Sequence, residues 1–273
     1  EVFTPGRLKE YEDWLLQRRL SWNTISTYMR TLQAVYNRLS PPGTPEHNPR
    51  LFDDVYTKVK SQIKRALTEE QMGRLMHADL DVLSEELQRV QAYFLLMFLF
   101  RGMPFIDLAH LRKRDVKDGK IAYRRHKTGK QITLRIPREA LPLLKEFKDK
   151  DETSLYLFPI LNAAPEGDDA LYECYQKALR NFNKMLRVLA KRLLPGIKIS
   201  SYTARHTWAT LAYHIGMPIG IICQALGHSS IRVTETYLKP FENEKVDKAN
   251  RKLISTVKKH EGRSGRCFIY YKT

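Results

Sequence analysis

The chain has 273 residues, with 47 Lys and Arg against 30 Asp and Glu, and a formal net charge of +17. Apolar residues make up 42 %, enough to bury a core and too many for a chain disordered throughout, and the length fits one large domain or two modest ones. So positive a chain points to a polyanionic partner, nucleic acid ahead of an anionic membrane surface.

In chain order, Leu8, Tyr11 and Leu15 sit at helical spacing and predict a helix over 7–16. Ser21 or Asn23 caps a second helix running to Leu39, with Ile25, Tyr28, Met29, Leu32, Val35 and Tyr36 as its apolar stripe. Residues 40–49 are a loop by composition, carrying Pro41, Pro42, Gly43, Pro45 and Pro49. A short basic helix is predicted over 51–64. Thr68-Glu-Glu-Gln71 has the form of a capping box that opens a new helix, which places a domain boundary near residues 64–67. Ser84 to Phe100 is predicted helical, and its second half is apolar nearly all round, hence buried. Its run Ala92 to Phe100 is the longest apolar stretch, far short of the ~20 residues needed to span a bilayer. Helical character resumes over 107–111, after Gly102-Met103-Pro104. Lys120 to Arg124 and Gln131 to Ile136 alternate like strands around the turn His126-Lys-Thr-Gly-Lys130, which predicts a β-hairpin. From about residue 141 onward the pattern is helical again. Over 170–194, Arg180, Lys184, Arg187 and Lys191 share one helix face, either phosphate-facing or simply solvated.

Cys174, Cys223 and Cys267 are far apart and form no CxxC pair, which fits a reducing compartment and argues against a zinc ribbon or a disulfide framework. P-loop, GxGxxG and HExxH patterns are absent, so the chemistry falls to ordinary side chains, with no cofactor and no metal. No signal peptide opens the chain. It begins at Glu1 without a Met, which reads as a fragment that has lost an N-terminal segment. Taken singly, Arg205 on a core-facing helix face reads as a structural ion pair, His228 as a satisfied turn residue and Tyr237 as a core aromatic.

Together these residues read differently. Ala204-Arg-His-Thr207, then Leu226-Gly-His-Ser-Ser230, then Tyr237 nine residues beyond His228, resemble the tyrosine recombinase (phage integrase) family. Gly102-Met-Pro-Phe-Ile-Asp-Leu-Ala-His-Leu111 is similar to that family's GLRxSELLxL segment, and the 126–130 turn to its catalytic lysine hairpin. The wording RGMPF…D and SYTARHTWAT is most similar to integrases of Bacteroides-type mobile elements. The resemblance implies a mainly α chain with the DNA breaking-rejoining enzyme fold: a helical, SAM-like core-binding domain over 1–64, an α-helical catalytic domain with a small β-hairpin over 65–260, and a flexible tail over 261–273.

The chemistry it implies is site-specific cleavage and rejoining of duplex DNA through a 3′-phosphotyrosyl intermediate, with Tyr237 as nucleophile. The bond energy is kept as a phosphoester, so no ATP is needed. By the same resemblance, Arg205 clamps a non-bridging oxygen, Lys127 protonates the leaving 5′-oxygen, and His228 binds the phosphate or assists proton transfer. Two positions depart from the family's pattern. Pro104 stands where the first catalytic Arg belongs, with Arg101 the foremost replacement and Arg89 and Arg112 weaker ones. Tyr202 stands where the family has a His, and its hydroxyl can still donate to phosphate. His206 is expected to be structural, and Asp107 to orient an arginine.

Arg18, Arg19, Arg30, Lys58, Lys60 and Lys64 are candidates for DNA contact in the first part of the chain, with Arg180 and Lys184 in the second. The implied partners are double-stranded DNA, a homotetramer on recombining DNA docked through the tail from Lys248, and accessory DNA-bending proteins, with no membrane. The implied location is the bacterial cytoplasm, at the nucleoid. The missing N-terminal segment then reads as an arm-binding domain. Two rivals remain: a catalytically inactive DNA-binding member of the fold, and a type IB topoisomerase-like enzyme.

Overall fold

The computed structural model describes residues 3–58, 66–78, 83–162, 167–241 and 243–260. The chain forms two compact units, residues 1–63 and 64–273.

The first unit is built on two capped helices, α1 (Pro5–Gln17) and α2 (Trp22–Leu39). Thr4 and Ser21 stand at their N-caps, and each side chain accepts a backbone N–H of the first turn, from Arg7 and Thr24. Leu8, Leu15, Ile25, Met29 and Tyr36 pack with Leu51, Phe52 and Val55 in one small core. The helix expected over 51–64 is not present in its described part. Residues 51–55 run as successive turns closed by bonds to the third residue back, such as Asp53 N to Arg50 O and Val55 N to Phe52 O. The chain is instead tied down at Tyr56, whose N–H donates to the buried Glu12 carboxylate at 2.6 Å. Lys60 and Lys64 lie outside the described residues.

In the second unit the Thr68–Gln71 capping box forms as predicted and opens α3 (Glu69–Met76). Ser84 caps α4 (Glu85–Leu99), whose Phe94, Leu96 and Met97 are almost fully buried. After the short α5 (Phe105–Ala109) comes a three-stranded antiparallel sheet: β1 (Val116–Lys117), β2 (Lys120–Arg124) and β3 (Gln131–Arg135). Tyr123 pairs with Ile132 and Ile121 with Leu134, so the inward residues of β2 and β3 alternate with exposed ones. The two-residue β1 is too short to register as period-2 alternation. The remaining helices are α6 (Ala140–Phe147), α7 (Asp168–Leu193), α8 (Ser201–His214), α9 (Ile219–Leu226), α10 (Ile231–Glu235) and α11 (Asn243–His260). Helix α4 packs against α3, α6, α7 and α8 and so forms the central beam. The expected tail, 261–273, lies outside the described residues. Among the described residues no helix is long and apolar enough to cross a membrane.

Among the described residues Glu12 is the one carboxylate buried in the first unit's core, and it also takes Lys9 Nζ at 2.6 Å. Replacing it with Ala leaves the Tyr56 N–H without its acceptor, and we expect a loss of about 1.5–3 kcal/mol for the charge-assisted bond, read as a lowered urea midpoint for the first unit's transition.

Candidate active site

Helix ends and one hairpin assemble the site. At the end of α4, Arg101 (φ 58°) and Gly102 (φ 69°) are both left-handed, a sharp reversal that brings the Gly102 carbonyl inward. A side chain at 102 would meet Arg205 Cα at 3.1 Å, so glycine is required for the close approach as well as the turn. Pro104 then caps α5, which presents the buried Asp107. At the end of α9, Gly227 (φ 66°) is the left-handed C-cap, and a Cβ there would strike Ile132 Cδ1 at 2.8 Å. The hairpin therefore docks directly on this helix terminus.

Arg205 on α8 is 2 % exposed. Its Nη1 donates to Gly102 O at 2.7 Å, and its Nη2 to Leu226 O at 2.6 Å and to His228 Nε2 at 2.9 Å. These partners are helix-end carbonyls and an imidazole, so the ion-pair reading of Arg205 gives way to something else: a guanidinium buried without a hydrogen-bonded carboxylate. Burial, and then the charge of Arg125, lower its pKa from the usual arginine value.

His228 is fixed on both sides. Since Nε2 accepts from Arg205, Nδ1 carries the proton and donates to Thr234 Oγ1 at 2.9 Å. Burial, followed by the charges of Arg205, Arg125, Lys127 and Lys130, pushes its pKa from 6.5 down to about 3. The imidazole is therefore neutral at physiological pH.

Tyr237 follows α10 and is half-buried. Its ring lies 4.8 Å from those of His206 and His228, and the Arg205 guanidinium carbon is 5.5 Å from its centroid. Its backbone carbonyl faces His206 Nδ1 at 3.2 Å and Thr210 Oγ1 at 3.3 Å, so His206 does hold the backbone that carries Tyr237. The Tyr202 and Tyr237 hydroxyls stand 3.4 Å apart with the rings stacked. Burial and the Tyr237 hydroxyl raise the Tyr202 pKa to about 12, so Tyr202 keeps its proton.

Lys127 is exposed on the hairpin turn, and its charge is felt at His228. Arg101 is half-buried, and its charge is felt at Tyr123. Arg180 and Lys184 are exposed on α7, while Arg18, Arg19, Arg30 and Lys58 are exposed in the first unit. The Arg18 guanidinium lies over the Trp14 ring at 4.0 Å.

Arg125 is the site residue that motif reading passed over. It is 4 % exposed, its Nη1 donates to Leu226 O and Gly227 O, both at 3.1 Å, and its Nε stands 3.8 Å from Asp107 Oδ2. The signal for it lay in strand phase, because residues 121, 123 and 125 all point inward. Asp107 thus faces Arg125, and its Oδ1 accepts the His126 N–H at 2.9 Å. Burial raises the Asp107 pKa, and the His126 N–H, Arg125 and Arg205 work against that rise.

Because the folded pKa of His228 is depressed, the unfolded chain binds a proton below pH 6.5 that the folded chain does not bind until about pH 3. Stability is therefore lost as pH falls through that window, by up to ~1.4 kcal/mol per pH unit. His228→Gln removes this loss, and urea denaturation at pH 7, 6 and 5 should show a shallower acid decline for the variant than for the wild type.

Comparison with known proteins shows the family. The phage integrase family profile matches residues 65–244, more than half of the sequence, and the chain belongs to that family. It is a tyrosine-type site-specific recombinase. Tyrosine recombinase XerA of Pyrococcus furiosus is 28 % identical over 248 residues, covering 87 % of this chain and 79 % of the relative. A tyrosine recombinase of Thermosipho africanus is 23 % identical over 226 residues, covering 82 % and 74 %. Among solved structures, the Tn1549 transposon integrase in complex with transposon right end DNA superposes with a TM-score of 0.62 at 17 % identity, over 92 % of this chain and 85 % of that one. A lambda integrase dimer bound to a COC′ core site gives 0.58 at 14 % identity, over 86 % and 79 %. These likenesses show the fold.

Proposed function

We propose that this recombinase cleaves and rejoins duplex DNA with Tyr237 as its nucleophile. The observation that carries the reading is the convergence of Tyr237, Arg205, His228 and Tyr202 from three separate segments onto one point. The Tyr237 hydroxyl gives up its proton to solvent, its oxygen attacks the scissile phosphorus, the bond to the 5′-oxygen breaks, and a 3′-phosphotyrosyl linkage holds the strand until the reverse attack. Arg205 neutralises charge developing on the non-bridging oxygens from a site where that charge is not screened by water. His228 orients Arg205 through Nε2. Tyr202, protonated throughout, donates to the Tyr237 oxygen as its charge develops. Lys127, on the exposed hairpin turn, delivers a proton to the departing 5′-oxygen. Arg101 remains a candidate for a further phosphate contact beside Pro104.

Charge supports the wider assignment. Arg18, Arg19, Arg30 and Lys58 on the first unit, and Arg180 and Lys184 on the second, offer exposed cations for duplex DNA. Helix α11 leaves Val246, Leu253, Ile254 and Val257 exposed, an apolar stripe suited to docking on a neighbouring subunit in a tetrameric synapse. The wording of the motifs favours a Bacteroides-type mobile element, acting at the nucleoid with accessory DNA-bending proteins.

A nicked suicide substrate carrying the chain's own recombination site should trap a covalent adduct with wild-type protein and none with Tyr237→Phe. Specific binding without any adduct would select an inactive DNA-binding protein instead. In a titration of affinity against salt, each phosphate contact should contribute about −0.9 to the slope of log K against log salt, and Arg180→Ala with Lys184→Ala should make the slope shallower by about 2.

A further inference from the structure

We infer that the cavity between α5, the hairpin turn and the start of α7 is a pocket for one nucleobase of the cleaved strand, an amino-bearing base turned out of the bound duplex. This rests on the reading of Lys127 given above for where the DNA lies.

The cavity measures about 370 Å³, room for a single heterocycle. Its walls are aromatic rings at graded depth. Tyr175 is buried, His110 is half-buried, and His126 and Tyr172 are exposed, Tyr172 to 60 %. The His110 ring lies 4.8 Å from that of His126 and 5.9 Å from that of Tyr175. An exposed tyrosine ring beside unfilled space is a stacking platform, and every base has a face to lay on it.

Two polar groups give the pocket its preference. His110 Nδ1 donates to the Ile106 carbonyl at 2.8 Å, which leaves Nε2 with its lone pair. Burial lowers the pKa of His110, so the ring stays neutral and Nε2 stays an acceptor. The second group is the Asp168 carboxylate in the first turn of α7, which only accepts. Two acceptors call for a ligand edge with donors. Guanine, adenine and cytosine each carry an exocyclic amino group, and thymine carries none. An apolar side chain from a second copy would fill the same volume but leave both acceptors unanswered.

Position supplies the source of the base. His126 precedes Lys127 on the hairpin turn, and consecutive Cα atoms are about 3.8 Å apart. A DNA strand advances about 3.4 Å per nucleotide, so a pocket lined by His126 lies within about three nucleotides of the bond whose 5′-oxygen Lys127 serves. The His126 N–H also donates to the buried Asp107 at 2.9 Å. A base held against His126 therefore steadies the turn that carries Lys127.

The test is a scan of affinity on duplexes carrying the chain's own recombination site. A single mismatch is placed at each of the three base pairs on either side of the cleaved bond, keeping the cleaved-strand base. Binding is measured for wild type, Tyr172→Ala and Asp168→Asn, each checked by thermal unfolding; both side chains are exposed, so neither change opens the core. Turning a base out of the stack is easier when it is already unpaired. We expect one position at which the mismatch tightens wild-type binding about 10-fold, with most of that gain lost in Tyr172→Ala. Placing thymine on the cleaved strand at that position should weaken wild-type binding about 10-fold, and Asp168→Asn binding much less. The proposal is overturned if no position responds to a mismatch, if Tyr172→Ala responds as wild type does, or if wild type accepts thymine equally well. All of this is read from binding. A missing Tyr237 adduct therefore removes the reading of the nucleophile and leaves this scan to decide the pocket, whereas a wild-type adduct with no mismatch response removes this proposal only.

Discussion

The second unit of this protein depends on one backbone oxygen. The Leu226 carbonyl ends α9, at the negative pole of the helix, where the last carbonyls lack partners within the helix. Arg205 and Arg125 both donate to it, from a helix and from a hairpin. Bringing two cations to one carbonyl requires backbone on every side to come unusually close. Gly227 turns left-handed under Ile132, and Gly102 turns left-handed against Arg205. A methyl group at either position would force apart the elements that the shared carbonyl holds together.

The crowding of positive charge explains the state of His228. An imidazole among Arg205, Arg125, Lys127 and Lys130 does not take up a proton, and its neutral form accepts from Arg205 through Nε2. Thr234 completes the arrangement by receiving the proton on Nδ1, and it sits just before Tyr237, whose N–H donates to the Thr234 carbonyl. The tautomer of the histidine and the placement of Tyr237 are thus two ends of one short segment.

Much of this was legible in the sequence, because local rules carried it. The Thr68–Gln71 capping box, the cap at Ser21 (one of the two residues the sequence offered there, with Asn23) and the alternation across 120–136 each form where their own residues specify. Tyr237, Arg205 and His228 were found through spacing and motif, and the structure places them in contact. Long-range decisions were not legible. Residues 51–55 carry helix-like apolar spacing, but their backbone goes into turns because Glu12, more than forty residues earlier, takes the Tyr56 N–H. Arg125 was overlooked because an arginine beside a turn is ordinarily solvated, and only the phase of β2 argues otherwise. The Tyr202–Tyr237 pairing spans 35 residues and two helices, and nothing in the sequence between them announces it.

The contacts that gather these groups are distant along the chain: Arg205 to Gly102 spans 103 residues, and Arg125 to Leu226 spans 101. Loops of that length close late and only together. During synthesis the hairpin and the α4 terminus emerge first and wait for α8 and α9, and Tyr237 emerges after all of them. A ribosome-bound or truncated chain that lacks α8 to α10 can therefore present the cations of the hairpin while Arg205, His228 and Tyr237 are not yet brought together.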